Sequence, residues 1–353
     1  MPQSITVHTR PPYPVLIGPG LLFEAGALLR PLLGEARLLV VTDSNVAPLY
    51  LEAVMDGLGK AGFEASSWVF PAGEAQKNLR TLEELLGVLA REELGRGDVV
   101  LALGGGVSGD LAGLAAALYL RGIRCVQLPT TLLAAVDASV GGKTAVDLPA
   151  GKNLVGAFLQ PTAVLCDTKT LRTLPPKVFA AGAAEAVKTG VLAGEALFSA
   201  LEAGQLQASP QNIIESCVRY KAEVVERDEQ DRGERQILNL GHTAGHAIER
   251  CSQYAISHGE AVAMGLALIA RASARRGWCE KATAERICRL LCAQELPTRC
   301  PYSAQALARA ALHDKKRQGE AITLLIPAAI GSCQRKSLPL GDLEGLFFAG
   351  MED

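Results

Sequence analysis

A glycine-rich loop between a predicted strand and a predicted helix constrains the fold more than any other feature. The loop, G-G-G-V-S-G-D at residues 104–110, follows the apolar run 98–103 and opens the helical pattern 111–120. Glycines let the backbone approach a diphosphate closely, and a helix amino terminus offers free N–H groups and a positive dipole end. The spacing meets the G-x-G-x-x-G pattern and predicts a nucleotide-binding turn. A tight turn that only packs helix on strand is the alternative.

Short apolar runs alternate with helical patterns through the first half of the chain. Predicted strands lie at residues 37–42, 65–70, 98–103 and 123–128, with helical patterns between them, as at 46–58 and 79–93. Continuous apolar strands separated by helices are typical of a parallel sheet covered on both faces. We therefore predict an α/β, Rossmann-like nucleotide-binding domain over residues 1–170.

Helical spacing replaces the strands after about residue 167. Helical patterns cover residues 178–192, 212–229, 240–249, 260–276 and 282–294, and residues 322–326 form the single strand candidate. A chain of 353 residues exceeds what one hydrophobic core usually supports. We predict a second, mostly α-helical domain over residues 171–353, and we expect the chemistry where the two domains meet.

The acid expected to bind a ribose is displaced from its usual position. A standard dinucleotide fold carries an acid about 20 residues after the glycine loop. Here that stretch holds Arg121 and Arg124 but neither Asp nor Glu. Asp43, at the end of the strand 37–42, is the better candidate, with Asn45 two residues on. This predicts a nucleotide domain with different strand wiring.

Composition and charge exclude several partners. The formal net charge of −2 gives no electrostatic case for nucleic acid or an acidic membrane surface. The longest apolar stretches, such as 261–270, are too short to span a bilayer, and residues 1–10 carry no secretion signal. Nine cysteines without a C-x-x-C pair predict reduced thiols in a cytoplasmic protein.

Two lysine motifs lie in a glycine-punctuated region between predicted elements. One runs from Asp137 to Lys143, and the other is G-K-N at residues 151–153. Glycines beside a lysine commonly form an anion pocket from backbone N–H groups and one ammonium. For either motif alone, a solvated surface lysine is the stronger interpretation.

Other charged residues fall on apolar helix faces. Helical spacing places Glu185 beside Lys188 among small side chains, and Lys221 on the apolar side of its helix. Lysines are seldom buried unless paired, so these positions predict a polar site. A structural ion pair is the alternative for Glu185 and Lys188. Arg235 and Asn239 would face the same way if the next helix begins there.

Three of the five histidines lie within residues 239–258. Neutral imidazole is the commonest metal ligand, so this concentration predicts a divalent metal site. The simplest ligand set is His242 with His246, four apart on one helix face. A spread set of His242, His258 and one remote carboxylate is the alternative, with His246 free for the substrate or a proton. The candidate carboxylates are Glu185, Glu249 and Glu260, of which Glu185 is favoured.

A series of longer motifs follows in order along nearly the whole chain. They are V-T-D-S-N-V-A at 41–47, G-E-A-Q-K at 73–77, G-G-G-V-S-G-D at 104–110, Y-L-R-G-I at 119–123, L-P-T-T-L-L-A-A-V-D-A-S-V-G-G-K-T at 128–144, G-K-N-L-V-G-A-F at 151–158, A-E-A-V-K at 184–188, L-N-L-G-H-T-A-G-H-A-I-E at 238–249, S-H-G-E at 257–260 and D-K-K at 314–316. Together they closely resemble the 3-dehydroquinate synthase family.

The resemblance implies that the first domain binds NAD⁺ and that a divalent metal, zinc or cobalt, is also bound. Nucleotide contacts carried over from the family are Asp43, Asn45, Glu74, Lys77, Gly105, Gly106, Asp110, Thr130, Thr131, Lys143 and Lys152. The implied metal ligands are Glu185, His242 and His258, which selects the spread set and leaves His246 to the substrate.

The resemblance also implies a phosphorylated sugar acid as substrate and a homodimer. The implied catalytic and substrate-contacting residues are Asp137, Lys143, Asn153, Lys188, Lys221, Arg235, Asn239, His246 and Lys315 or Lys316, with Arg121 reaching the site of a partner subunit. A substrate with a carboxylate and a phosphate explains why a nearly neutral chain needs inward cations. Asp147 stands where many members have Asn, and we expect it to touch none of these contacts.

The implied reaction converts 3-deoxy-D-arabino-heptulosonate 7-phosphate to 3-dehydroquinate and phosphate. A ring hydroxyl is oxidised transiently, phosphate leaves, the hydride returns, and the ring opens and recloses by an intramolecular aldol reaction. Lys188 and His246 would handle protons. The rivals are a related sugar-phosphate cyclase, whose substrate lacks the carboxylate, and a metal-dependent polyol dehydrogenase, which would release NADH.

Overall fold

The structure is a computed structural model that describes residues 2–312, 317–318 and 320–351. The chain divides into two compact units, Met1–Leu174 with Lys221–Gln230, and Pro175–Tyr220 with Asp231–Asp353. The segment Lys221–Gln230 thus belongs with the first unit, although the sequence placed it in the second domain. Among the helices that the structure describes, none combines the length and apolar character that a bilayer span requires.

A seven-stranded sheet forms the centre of the first unit. The strands of this unit are β1 (Gln3–Val7), β2 (Tyr13–Gly18), β3 (Leu38–Asp43), β4 (Ala65–Phe70), β5 (Val99–Gly104), β6 (Arg124–Pro129), β7 (Lys143–Leu148), β8 (Gly151–Phe158) and β9 (Ala163–Asp167). The sheet order is β1-β2-β9-β6-β5-β3-β4, and every pair except β1–β2 is parallel. Strands β7 and β8 form a separate antiparallel hairpin.

Helices cover both faces of this sheet. They are α1 (Ala25–Leu33), α2 (Glu52–Lys60), α3 (Leu79–Arg91) and α4 (Gly106–Leu118). Successive side chains of β3 point to opposite faces, so Val40 packs in the core with α1 and α2, and Val41 packs with α3 and α4. Burial of each such side chain contributes about 1.5–3 kcal/mol, which explains why these strands are apolar throughout.

The second unit is mostly helical, as predicted. Its helices are α5 (Pro176–Ala193), α6 (Glu195–Glu202), α7 (Gln205–Ala208), the first part of α8 (Pro210–Arg227), α9 (His242–Cys251), α10 (His258–Arg275), α11 (Lys281–Ala293), α12 (Ala304–Ala311) and α13 (Leu343–Met351). Helix α10 is buried along most of its length, because α5, α9, α11 and α13 all pack against it.

Two local predictions were wrong. The second unit has a three-stranded antiparallel sheet, β10 (Arg317–Gln318), β11 (Ala321–Ala329) and β12 (Ser332–Pro339), where one strand was expected. The G-K-N motif lies in strand β8 rather than between elements, whereas the Asp137 motif precedes β7, which begins at Lys143. The predicted helix 46–58 is confirmed, with a π-helical turn, Ala47–Leu51, before α2.

Candidate active site

The glycine loop lies at the point where the strand connections of the sheet reverse direction. From β3 the chain continues to β4, whereas from β5 it continues to β6 on the opposite side. Ligands of open α/β sheets bind at the carboxyl ends of strands at such a switch point. Asp43 ends β3 and Gly104 ends β5, so the predicted acid and the loop are neighbours.

Asp43 is joined to the loop by a hydrogen bond. Its Oδ2 accepts from the Ser108 hydroxyl at 3.1 Å, and its Oδ1 accepts from the backbone N–H of Asn45 at 2.9 Å. Ser108 is a contact that the glycine pattern alone does not predict. Because β3 and β5 are adjacent, an acid at residue 43 can occupy the position that a downstream acid has in the usual wiring.

Helix α4 begins at Gly106 and has small residues around its first turn. A Cβ at Gly105 would lie 3.0 Å from the methyl group of Thr131, so the loop packs directly on the segment after β6. The Thr130 backbone N–H donates to the Gly104 carbonyl at 2.9 Å, which holds the two strand ends together. Thr130, Thr131 and the glycines therefore form one surface at the switch point.

Lys77 is a buried cation that joins two predicted contacts. Its Nζ lies 2.5 Å from Asp110 Oδ2 and donates to Asn153 Oδ1 at 2.6 Å. Burial alone lowers the pKa of Lys77, but Asp110 and Glu74 outweigh it and raise that pKa, so the ammonium form is stabilised. Lys152 Nζ lies 3.2 Å from Glu74 Oε1 in the same region.

Asp147 contacts Asn153, which corrects the expectation that it touches no site residue. Its Oδ1 accepts from the Asn153 backbone N–H at 2.7 Å, and its own N–H donates to the Lys77 carbonyl at 2.8 Å. Asn153 has a positive φ of 53°, a conformation that such hydrogen bonds help to stabilise. The residue type alone could not reveal this contact, since it depends on the hairpin.

Lys221 belongs to the first unit and binds Asp137 there. Its Nζ donates to the Asp137 carbonyl oxygen at 2.6 Å and contacts the carboxylate as well. Its burial agrees with the placement on an apolar helix face. Lys143, by contrast, is exposed at the start of β7.

In the second unit, Glu185 lies on the small-residue face of α5 and is fully buried. Its Oε1 lies 3.3 Å from His258 Nε2 and 3.7 Å from His242 Nε2, while its Oε2 lies 2.6 Å from Lys188 Nζ. Burial raises the pKa of Glu185, but Lys188 and the histidines outweigh it and hold that pKa well below its usual range. Glu185 is therefore ionised.

His242 is the first residue of α9 and follows a sharp turn. Gly241 has a φ of +77°, and a Cβ there would lie 2.9 Å from the Leu266 backbone, so both the turn and the contact with α10 require glycine. His242 Nδ1 lies 3.1 Å from the Leu240 carbonyl oxygen. Burial holds the pKa of His242 well below its usual range despite Glu185, which leaves the imidazole neutral.

His258 opens α10 immediately after a capping box. The Ser257 hydroxyl accepts from the Glu260 N–H, and the Glu260 carboxylate accepts from the Ser257 N–H. A Cβ at Gly259 would lie 2.3 Å from the Ala181 carbonyl oxygen, so only glycine lets α10 start this close to α5. This contact places the His258 ring beside Glu185.

The nearby carboxylates raise the pKa of His258. Burial opposes this effect, but Glu185 and Glu249 raise the pKa to about 10. Glu249, a candidate ligand from the sequence, instead contacts His258 Nδ1 at 3.4 Å, a contact that no spacing along the chain predicts.

Two groups of side chains in the described part of the chain have metal-ligand geometry. One is Glu185, His242 and His258, and the other is His246, Glu249 and His258, with ligand atoms within 4.8 Å of one another in each. Neither group contains both His242 and His246, whose rings are 5.5 Å apart. The geometry therefore does not favour the simple H-x-x-x-H pair.

The first group fits a divalent cation. Two imidazole nitrogens and one carboxylate oxygen are the donor set of many catalytic zinc sites. Glu185 Oε2 is paired with the Lys188 ammonium at 2.6 Å, whereas Oε1 is shielded from solvent and faces the Nε2 atoms of His242 and His258. A cation between Oε1 and these two nitrogens would compensate the part of the buried carboxylate that Lys188 does not reach.

Two predicted residues, Arg235 and Asn239, are placed differently from expectation. Arg235 and Asn239 lie in a 3₁₀ helix, Glu234–Asn239, that ends before α9, so they do not share an α-helical face. Arg235 is nonetheless buried. Arg121 is exposed just after α4 with a φ of 68°. Lys315 and Lys316 lie outside the described residues.

A parallel sheet with a glycine loop at its switch point and a His-His-Glu cluster are the parts that a nucleotide- and metal-dependent enzyme requires. The 3-dehydroquinate synthase sequence models match residues 67–181 (N-terminal) and 182–317 (C-terminal). The 3-dehydroquinate synthase of Rhodospirillum rubrum is 46% identical over 335 residues, 90% of this chain and 87% of that protein. The Lactiplantibacillus plantarum synthase is 43% identical over 96% of each chain. The chain belongs to the 3-dehydroquinate synthase family, which confirms the resemblance.

Solved structures confirm the predicted fold class. A 2-deoxy-scyllo-inosose synthase complexed with carbaglucose-6-phosphate, NAD⁺ and Co²⁺ matches with a TM-score of 0.86 and 25% identity over 98% of this chain and 99% of that one. The 2-epi-5-epi-valiolone synthase of Streptomyces hygroscopicus, with NAD⁺ and Zn²⁺ bound, matches with a TM-score of 0.87 and 27% identity over 96% of each chain.

Proposed function

We propose that this chain catalyses the 3-dehydroquinate synthase reaction, the conversion of 3-deoxy-D-arabino-heptulosonate 7-phosphate to 3-dehydroquinate and phosphate. Family membership supports the reaction, and the cluster of Glu185, His242 and His258 is the single structural observation that carries it. The enzyme is then a carbon–oxygen lyase acting on a phosphate, in the shikimate pathway to chorismate and the aromatic amino acids.

The two cofactors correspond to the two units. NAD⁺, present in both solved relatives, would take a hydride from a ring hydroxyl carbon and return it in the same cycle. Residues of the first unit would hold it: Asp43, Asn45, Glu74, Lys77, Gly105, Gly106, Asp110, Thr130, Thr131, Lys143 and Lys152. Zinc or cobalt, held by Glu185, His242 and His258, would polarise a substrate oxygen.

The remaining residues bind the anionic substrate and handle protons. Lys188 presents a buried ammonium beside Glu185, and His246 lies on the next turn of α9, so both can exchange protons with substrate oxygens. The substrate contacts that we propose are Asp137, Lys143, Asn153, Lys221, Arg235, Asn239 and Lys315. A buried guanidinium at Arg235 suits a carboxylate, which favours the heptulosonate over substrates without one.

A homodimer with Arg121 contributed to the partner's site fits the end of α4. Leu120 and Arg121 both have positive φ and are exposed. Leu118 and Leu120 are 49% and 40% exposed, an apolar patch that a second subunit would cover. Light scattering would measure whether the protein is a dimer. Loss of turnover in Arg121→Ala would test whether Arg121 contributes to the active site.

A cytoplasmic location is also part of the proposal. All nine cysteines lie among the described residues, and each is a thiol rather than half of a disulfide. Reduced thiols of this number are typical of a reducing compartment.

The decisive assay supplies heptulosonate 7-phosphate, substoichiometric NAD⁺ and zinc, and follows phosphate release. We expect many turnovers per NAD⁺ with no accumulation of NADH. Stoichiometric NADH would indicate a dehydrogenase instead. Release of phosphate from sedoheptulose 7-phosphate or glucose 6-phosphate, but not from the heptulosonate, would indicate a related cyclase.

A further inference from the structure

The two histidines next to Glu185 are supported by different hydrogen-bond acceptors. His242 Nδ1 lies 3.1 Å from a neutral acceptor, the Leu240 carbonyl oxygen. His258 Nδ1 lies 3.4 Å from Glu249 Oε2, on a carboxylate whose side chain is only 2% exposed. A carbonyl or carboxylate oxygen can only accept, so each imidazole donates from Nδ1, and Nε2 is the nitrogen left to ligate a cation.

Both Nε2 atoms face the same oxygen. The Nε2 atoms of His242 and His258 lie 3.7 Å and 3.3 Å from Glu185 Oε1. The tautomers set by the Nδ1 partners are therefore the ones that a cation next to Glu185 needs. With the opposite tautomer, an N–H group would point toward the cation.

Glu249 cannot bind the same cation as Nε2 of His258. The two nitrogens of an imidazole point away from opposite sides of the ring, and Glu249 faces Nδ1. Glu249, late in α9, therefore lies on the side of the His258 ring that faces away from the cation. A charged acceptor there polarises the ring and raises the basicity of Nε2 more than a backbone carbonyl does.

We propose that Glu249 is a positioning residue for the metal centre, which fixes the tautomer of His258 and makes that imidazole the stronger donor of the two. The proposal rests on the metal site put forward under Proposed function. It assigns Glu249 a role in metal affinity and in the electronic character of the bound ion, without contact with substrate or metal.

The test compares zinc and cobalt binding by the full-length protein and its Glu249→Gln and Glu249→Leu variants. Glutamine keeps an acceptor but loses the charge, whereas leucine removes both. We expect zinc affinity, measured by competition with a chelator, to be lower in Glu249→Gln than in the unmodified protein and lowest in Glu249→Leu. The total loss should be about 10–100-fold. The visible d–d bands of the cobalt form should shift in the same order. A purely structural role would leave these bands unchanged.

Glu260→Gln is the matched control. Glu260 lies two residues from His258 and caps the same helix, but its carboxylate accepts from Ser257. We expect zinc affinity and cobalt bands like those of the unmodified protein. Zinc affinity of both Glu249 variants equal to that of the unmodified protein would overturn the proposal, as would equal losses in Glu249→Gln and Glu260→Gln.

A second measurement does not depend on the stability of any variant. In the zinc-loaded, ¹⁵N-histidine-labelled protein, His258 should carry its proton on Nδ1, and a proton on Nε2 would contradict the proposal. Glu185→Gln distinguishes failure of the proposed metal site from failure of the proposed role of Glu249. If it loses zinc while the Glu249 variants keep it, only the role of Glu249 fails. If Glu185→Gln binds zinc normally, the metal site itself is wrong.

Discussion

Lys188 Nζ lies 2.6 Å from Glu185 Oε2, and both side chains are almost completely excluded from solvent. The proposed metal carboxylate therefore already has a cation on one oxygen while its other oxygen faces two imidazoles. Separating such a buried pair leaves one charge without compensation, which costs far more than loss of a surface ion pair.

Lys188→Met should destabilise the metal-free protein by about 3–5 kcal/mol, because the buried Glu185 carboxylate loses its ammonium. Zinc should restore part of this loss. Denaturant unfolding with and without zinc measures both effects. Lys281→Met is the control, since Lys281 is 87% exposed in its pair with Glu285, and it should change stability by less than about 0.5 kcal/mol. Equal effects of the two substitutions would refute the prediction.

His258→Ala should abolish tight zinc binding, whereas His246→Ala should leave zinc bound and reduce turnover. His246 is outside the group formed by Glu185, His242 and His258. Metal content after dialysis and phosphate release measure the two effects separately. The opposite pattern would restore the H-x-x-x-H pair as the ligand set.

Gly259→Ala should lower both stability and zinc affinity. The added Cβ would lie 2.3 Å from the Ala181 carbonyl oxygen and push the start of α10 away from α5. Overpacking of this kind costs about 1–3 kcal/mol. Gly59→Ala, at an exposed position of α2 where the new Cβ would meet no atom outside its own helix, should instead be neutral or stabilising. Thermal unfolding and zinc competition would show whether the two alanines differ.

Asp147→Ala should impair turnover more than Asp147→Asn. Alanine removes the acceptor of the Asn153 N–H, a hydrogen bond of this kind contributing about 0.5–1.5 kcal/mol, whereas asparagine keeps an acceptor oxygen. We expect phosphate release to slow in Asp147→Ala and to remain near normal in Asp147→Asn. If both variants slow equally, the charge of Asp147 matters rather than its support of Asn153.

Stability should fall above pH 9 because of buried thiols. Burial raises the pKa of Cys125 from 9.0 to about 12, so between these pH values the unfolded chain binds fewer protons than the folded one. The free energy of unfolding therefore decreases as the pH rises, by up to about 1.4 kcal/mol per pH unit for one such thiol. Cys166 and Cys333 should add to this effect, because burial raises the pKa of each thiol to about 12 as well.

Urea unfolding from pH 8 to 11 tests this slope. Cys125→Ala should flatten it, because one of the thiols that ionises on unfolding is gone. Val126→Ala, the next residue on β6 and equally buried, should lower stability by the same amount at every pH. An identical pH slope for both variants would show that Cys125 does not contribute.

The repetitive features of this fold could be read from the chain because they follow from local periodicity. Continuous apolar runs predicted β3, β5 and β6, and the glycine loop predicted the start of α4. Local periodicity failed where contacts distant in sequence decide the outcome. The 3₁₀ helix before α9 separates Arg235 and Asn239 from the expected common face, and antiparallel partners on both sides of β11 complete a sheet that one apolar run could not indicate.

Residue types and motif order were sufficient to determine the family, the two-part architecture and the candidate ligands, since these depend on what the chain contains. Only the tertiary structure decided which side chains meet. Close helix contact at Gly259 brings Glu185 to His258 across 73 residues of sequence, and Glu249 then falls behind the ring. Spacing along a chain defines one face of one helix, whereas a metal site needs distances between helices, and those are set by packing.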